Sequence, residues 1–184
     1  WVRDHLRERG LLGTSILWFE RDENSRAPRP ARYWREYCLS SVTTHDLPPT
    51  AGYLAGDHVR LRDSLGLLTR PVAEEIADDE REKAAWIGEL RRSGLLSEGE
   101  PDTEQVITAL YRFLARTPSR LVALALTDAV GDRRTQNQPG TTDEHPNWRV
   151  PLTGPDGRLM LLEDVFTDAR AAALCEVLRA ELRP

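Results

Sequence analysis

Cysteine, histidine and lysine are scarce in this 184-residue chain, which holds two cysteines, four histidines and a single lysine, Lys83. Cys38 and Cys175 show no CxxC spacing, which argues against a zinc site or a dithiol redox centre. Each lies in an apolar stretch, so both are expected to be buried free thiols in a reducing compartment. Four histidines are too few for a metal phosphohydrolase built on His-Asp pairs, and no metal or other cofactor is expected. No apolar run is long enough to span a bilayer, and no signal peptide is visible, so a cytoplasmic location is expected. A glycine-rich phosphate loop, a GxSxG elbow and a Cys-His-Asn arrangement are all missing. A net charge of −5 argues against nucleic acid or an anionic membrane as partner.

With 40% hydrophobic and 30% charged residues, the chain reads as globular rather than disordered. Residues 1–9 carry a helical pattern that Gly10 would stop. The aromatic-rich stretch 13–20 reads as a buried strand, and 21–31, with Pro28 and Pro30, as a loop. A second strand is expected over 38–44, stopped by Pro48-Pro49. Residues 50–68 mix loop and helix. Helices follow over 71–93, with Asp78-Asp79-Glu80 as a solvated face, and over 102–116. The run 121–128 is apolar almost throughout, as expected of a strand buried on both faces. A long polar loop extends to about residue 152, and a closing helix covers 161–182, with Thr167 or Asp168 as its cap. Strands alternating with helices imply parallel βα units and an α/β fold. Three strands make a very small sheet, and they look like the last strands of a larger barrel. The opening at Trp1, directly in a helix, suggests a piece of a longer protein.

The strongest local feature is Ser41-Val42-Thr43-Thr44-His45-Asp46. At the C-terminal end of a barrel strand, polar side chains face the active site. A carboxylate beside an imidazole there can bind sugar hydroxyls through directional, partly charged hydrogen bonds. The plainer alternative is a surface aspartate capping a turn. The second feature is Asn137-Gln138-Pro139-Gly140-Thr141 with Asn147-Trp148-Arg149, where Pro-Gly forces a tight turn and Asn137 offers an amide. Trp148 is read as a buried anchor rather than a sugar platform. The third is Phe19-Glu20-Arg21-Asp22, where an Arg21 salt bridge to a neighbouring carboxylate is the plain account.

Together Gly13-Thr14-Ser15-Ile16-Leu17-Trp18-Phe19-Glu20, Val42-Thr43-Thr44-His45-Asp46, Asn137-Gln138-Pro139-Gly140-Thr141 and Asn147-Trp148-Arg149 resemble, in order, the C-terminal half of the amylomaltase (disproportionating enzyme) family of glycoside hydrolases. The arginine-rich wording is similar to members from high-GC bacteria. The resemblance implies that residues 1–184 form the C-terminal portion of a (β/α)8 TIM barrel, about the last three strands with their helices. It implies 4-alpha-glucanotransferase activity, the transfer of alpha-1,4-glucan segments between maltooligosaccharides. The mechanism would be retaining, with a carboxylate nucleophile, a carboxyl acid/base and a third carboxylate that grips the sugar. Asp46 matches that third, catalytic carboxylate. His45, Asp22 and Asn137 match substrate-binding positions. The nucleophile and acid/base belong to earlier strands, so the isolated chain is expected to be inactive and to need the N-terminal remainder of the barrel as partner. Exposed sheet edges would favour self-association. Leu126-Thr127-Asp128 departs from the family's usual Pro-Leu-Gln-Asp, and 142–146 is longer than usual. Two other readings stand beside this one: a non-catalytic maltooligosaccharide-binding or barrel-complementing module, and an unrelated hydrolase using His45 and Asp46.

Overall fold

The computed structural model describes residues 1–182. Among these, three short strands form one parallel sheet: β1 (Gly13–Ile16), β2 (Cys38–Ser41) and β3 (Leu121–Ala123), in the order β1-β2-β3. Gly13 pairs with Cys38 and Ser41 with Ala123, so the three strands run level and their C-terminal ends open on the same side. Helix α1 (Val2–Glu8) precedes β1. Between β2 and β3 come α2 (Thr50–Leu54), α3 (Asp57–Ser64), α4 (Val72–Arg92) and α5 (Thr103–Ala115). After β3 follow α6 (Leu126–Val130), a long loop, α7 (Leu162–Thr167) and α8 (Ala169–Glu181).

The core gathers on α5. Its capping box, Asp102 with Gln105, satisfies the first amides of the helix. Val106, Ile107, Leu110, Tyr111, Phe113 and Leu114 are then all buried. Phe113 meets Trp34 and Trp86 edge-on, at centroid distances of 5.9 and 5.6 Å. Trp86 in turn meets Trp18, which follows β1. Four segments distant in sequence are thereby locked by aromatic contacts worth about 0.5–1.5 kcal/mol each beyond their buried area.

Several expectations need correction. The apolar run after Arg120 is a strand only to Ala123. Leu126–Val130 turns into helix, with the Ala125 carbonyl accepting from the amides of Asp128 and Ala129. Ala and Leu dominate this run and favour a helix over a strand, and Leu121 and Leu126 are both exposed rather than buried. The first strand likewise stops at Ile16, and Leu17–Phe19 forms a tight 3-10 turn. The second stops at Ser41. The closing helix is two helices, and Asp168 caps the second by accepting from the Ala171 amide. In α8 the buried residues are Ala171, Leu174 and Leu178, a stripe that leaves Cys175 exposed; Cys38 is buried. Asp79 is not on a solvated face. It shares the inner stripe of α4 with Trp86 and Leu90, and pairs with Lys83 and with His58 Nε2 at 3.3 Å. Arg21 pairs with Glu82 of α4, not with a neighbour in its own segment.

Candidate functional site

The side chains of interest lie beyond the C-terminal ends of β2 and β3. After Ser41 the chain buries Val42 and then turns. The Thr43 hydroxyl donates to the Pro48 carbonyl at 2.9 Å, and the amides of Asp46 and Leu47 donate back to Thr44. This tight turn presents His45 and Asp46 outward. Pro48 and Pro49 have no amide hydrogens and end it, and α2 starts at Thr50.

The start of α2 is fastened from beneath. Asp128 Oδ1 accepts from the Thr50 amide at 2.7 Å, and Oδ2 accepts from the Thr50 hydroxyl at 2.5 Å and the Tyr111 hydroxyl at 2.8 Å. Tyr111 also accepts from the Ala125 amide at 3.1 Å. All three side chains are buried. Burial raises the pKa of Asp128, while the bonds from Thr50 and Tyr111 pull in the other direction. Burial also raises the Tyr111 phenol. A second fastening needs no side chain. A Cβ on Gly52 would lie 2.2 Å from the Arg133 carbonyl oxygen, so only glycine lets α2 approach the segment after α6 this closely.

That segment opens a loop whose two ends are joined by Asp132. Its carboxylate accepts from the amides of Arg134 and Thr153, both at 2.9 Å, and from the Arg134 guanidinium. Inside the loop, Asn147 Oδ1 accepts from the Gln138 amide at 2.8 Å, and Asn147 Nδ2 donates to the Thr141 hydroxyl at 2.8 Å. His145 Nε2 meets the Thr135 carbonyl at 3.0 Å.

The two loops meet at Asp46. Asn137 Nδ2 donates to Asp46 Oδ1 at 2.6 Å, and His45 Nε2 lies 3.3 Å from Asp46 Oδ2. The His45 ring is 5.0 Å from that of Trp148. The side chains of His45 and Asp46 remain 60% and 50% exposed, so each has surface left for a ligand. Trp148 is not a buried anchor: it is 65% exposed, with a left-handed backbone at φ 62°. Asp22 lies in another turn, where its Oδ1 accepts from the amides of Ser25 and Asn24 and from the Ser25 hydroxyl. The Ser25 amide is the main cause of a lowered Asp22 pKa. Among the described residues no hydrogen bond joins Asp22 to Asp46, His45 or Asn137. A cleft of about 430 Å³ lined by Leu6, Gly13, Trp34 and Tyr37 lies at the starts of β1 and β2, the opposite end from Asp46. Among the described residues no three His, Cys, Asp or Glu side chains are grouped to hold a metal, and no helix is long and apolar enough to cross a membrane.

Sequence reasoning missed Asp128, Thr50, Tyr111, Gly52 and Asp132. Asp128 carried a signal, as a carboxylate inside an otherwise apolar run. Gly52 carried almost none.

The family model described as 4-alpha-glucanotransferase matches residues 1–156. This chain belongs to the 4-alpha-glucanotransferase family. Proteins named 4-alpha-glucanotransferase from Mycobacterium tuberculosis and Mycobacterium bovis are 72% identical to it over 184 residues, 98% of this chain and 25% of theirs. One of the same name from Haemophilus influenzae is 28% identical over 162 residues, 84% of this chain and 23% of its own. The chain thus spans about a quarter of the length of the curated relatives it matches. The crystal structure of amylomaltase from Corynebacterium glutamicum superposes with a TM-score of 0.91 at 38% identity, over 97% of this chain and 27% of that one. Amylomaltase from Streptococcus agalactiae in complex with acarbose shares the fold, with a TM-score of 0.57 at 20% identity, over 99% of this chain and 29% of that one.

Proposed function

We propose that this chain is the part of a 4-alpha-glucanotransferase that contributes the sugar-gripping third carboxylate, Asp46, to an active site completed by the rest of a (β/α)8 barrel. The observation that carries this reading is the 2.6 Å hydrogen bond from Asn137 Nδ2 to Asp46 Oδ1, at the C-terminal side of a parallel sheet, in a member of this family. Barrel enzymes place their chemistry at that side.

Asp46 is oriented by Asn137 on one oxygen and by His45 near the other, and both oxygens keep lone pairs for sugar hydroxyls. An ionised carboxylate accepts such bonds about twice as strongly as a neutral group. Bonds that tighten as the ring flattens toward an oxocarbenium ion lower the barrier rather than merely bind substrate. Asn137 supplies an amide at the same sugar, and Asp22, in the loop after β1, would contact the substrate through the oxygen that its own turn leaves free. The nucleophile and the acid/base come from strands outside this chain. They would form and break the covalent glycosyl intermediate through which an alpha-1,4-glucan segment passes from donor to acceptor. Among the described residues β1 and β3 each keep an unpaired outer edge, which would suit the missing strands. On this reading the isolated chain binds the remainder of its barrel, or a second copy of itself, and catalyses nothing.

Incubation with maltotriose tests the reading. The full-length protein should release glucose and build longer maltooligosaccharides, while residues 1–184 alone should leave maltotriose unchanged. Robust transfer by the isolated chain would refute the assignment, because its reacting carboxylates would then lie within these residues.

A further inference from the structure

We propose that Trp148 is a stacking platform for a glucose ring of the bound glucan, next to the ring that Asp46 and Asn137 hold. The proposal rests on the glucanotransferase reading given above. Two features of Trp148 have no explanation in the packing of these residues. The first is its backbone: φ is 62°, in the left-handed region that a bulky side chain disfavours and that glycine occupies freely. The second is its surface, which is 65% exposed, so the indole gains little from burial in return for that strain.

The surrounding loop nevertheless enforces the conformation from both sides. The Trp148 amide donates to the Gln136 carbonyl at 2.9 Å, and the next amide, of Arg149, donates to Pro146 at 2.9 Å. Its neighbour Asn147 is held by Gln138 and Thr141, and the loop ends are joined through Asp132. An unfavourable backbone held this firmly, with an open aromatic ring at its tip, marks a site where the ring is presented to something.

What it is presented to follows from its neighbours. The indole lies 5.0 Å from the His45 ring, and His45 abuts Asp46, which binds Asn137. One large apolar face thus borders a row of an imidazole, a carboxylate and an amide. A pyranose has the matching form, with an apolar C–H face and hydroxyls around its rim. The face can lie on Trp148 while the rim reaches the polar row, the usual division of labour in a ligand site. Trp148 belongs to no catalytic step here. It binds ground state and transition state alike, so its loss should raise KM and leave kcat nearly unchanged.

The experiment measures maltotriose transfer by the full-length enzyme carrying Trp148→Ala, Trp148→Phe or Trp148→Gly, with thermal melting of each. Trp148→Ala and Trp148→Gly should raise KM roughly three- to tenfold, the range for loss of one aromatic contact, with kcat within about twofold of the parent. Trp148→Phe keeps a ring and should recover most of the KM. Trp148→Gly relieves the backbone strain, so its Tm should equal or exceed that of Trp148→Ala. An unchanged KM in an active Trp148→Ala enzyme overturns the platform and leaves the glucanotransferase reading intact. A Tm loss of several degrees in both small variants with KM unmoved overturns it too, in favour of a packing role. An unmutated full-length enzyme with no transferase activity overturns both.

Discussion

Replacing Gly52 with alanine probes how tightly the two site loops are tied together. The new Cβ would sit 2.2 Å from the Arg133 carbonyl oxygen and 3.1 Å from its carbon. Contacts of a carbon with backbone atoms run above about 3 Å, so the two backbones must part by roughly 0.8 Å. The oxygen is main chain and cannot rotate away as a side chain would. Inserting one methyl into packing of this kind costs about 1–3 kcal/mol. The displacement also has a direction. Gly52 follows the Asp46 turn by a few residues, and Arg133 precedes Asn137, so the change forces apart the elements that carry the 2.6 Å contact. A misplacement of about 1 Å at a reacting centre can cost on the order of a hundredfold in rate. Gly52→Ala in the full-length enzyme should therefore lower kcat for maltotriose transfer by roughly ten- to a hundredfold, while guanidinium unfolding shows a loss of about 1–3 kcal/mol. A variant with parental kcat and stability would refute the idea that this close approach sets the spacing of Asp46 and Asn137.

Two further substitutions test buried carboxylates whose pKa values are displaced in opposite directions. Tyr111→Phe removes a donor to Asp128 and the acceptor of the Ala125 amide, and should cost about 2–4 kcal/mol at neutral pH, read from denaturant midpoints. Because burial raises the pKa of Asp128, stability from this group is greatest below the ordinary carboxylate range and falls as pH rises through its folded-state pKa. The penalty of Tyr111→Phe should accordingly shrink in acid, where the lost bond is to a neutral carboxyl; a pH-independent penalty would count against an ionised Asp128. Asp79 behaves the other way. Burial would raise its pKa, but the bonds to His58 and Lys83 outweigh burial and lower it. Its contribution is therefore present above the unfolded carboxylate pKa and lost as pH falls through the folded value. Asp79→Asn should cost about 1–3 kcal/mol near neutral pH, from the unpaired Lys83, and the gap to the parent should narrow as pH falls below the ordinary carboxylate range. A gap that widens in acid would reverse this assignment.

What could be read from the sequence were elements with local signals. Pro71 before α4, Asp102 with Gln105 at α5 and Asp168 at α8 bound their helices through backbone chemistry confined to a few residues. The apolar run after Arg120 misled because its fate is decided by a distant partner. Tyr111 takes the Ala125 amide and Asp128 reaches back to Thr50, so the chain leaves the sheet after three residues. Cys175 and Asp79 were misplaced by composition, where the helical stripe decides. In the candidate site, strand ends marked His45 and Asp46 as candidates. The partnership of Asp46 with Asn137 spans 91 residues and left no local trace, so only family resemblance set them side by side. Trp148 was the largest surprise, because no sequence pattern announces a left-handed tryptophan.

Asp46→Asn in the full-length enzyme tests the central claim most directly. Asparagine keeps the shape and the exposed position but loses the charge and one acceptor oxygen. If the carboxylate grips the sugar most strongly in the transition state, kcat for maltotriose transfer should fall at least roughly a hundredfold, with the melting temperature within a few degrees of the parent. A folded Asp46→Asn enzyme that disproportionates maltotriose at close to the parental rate would contradict the account.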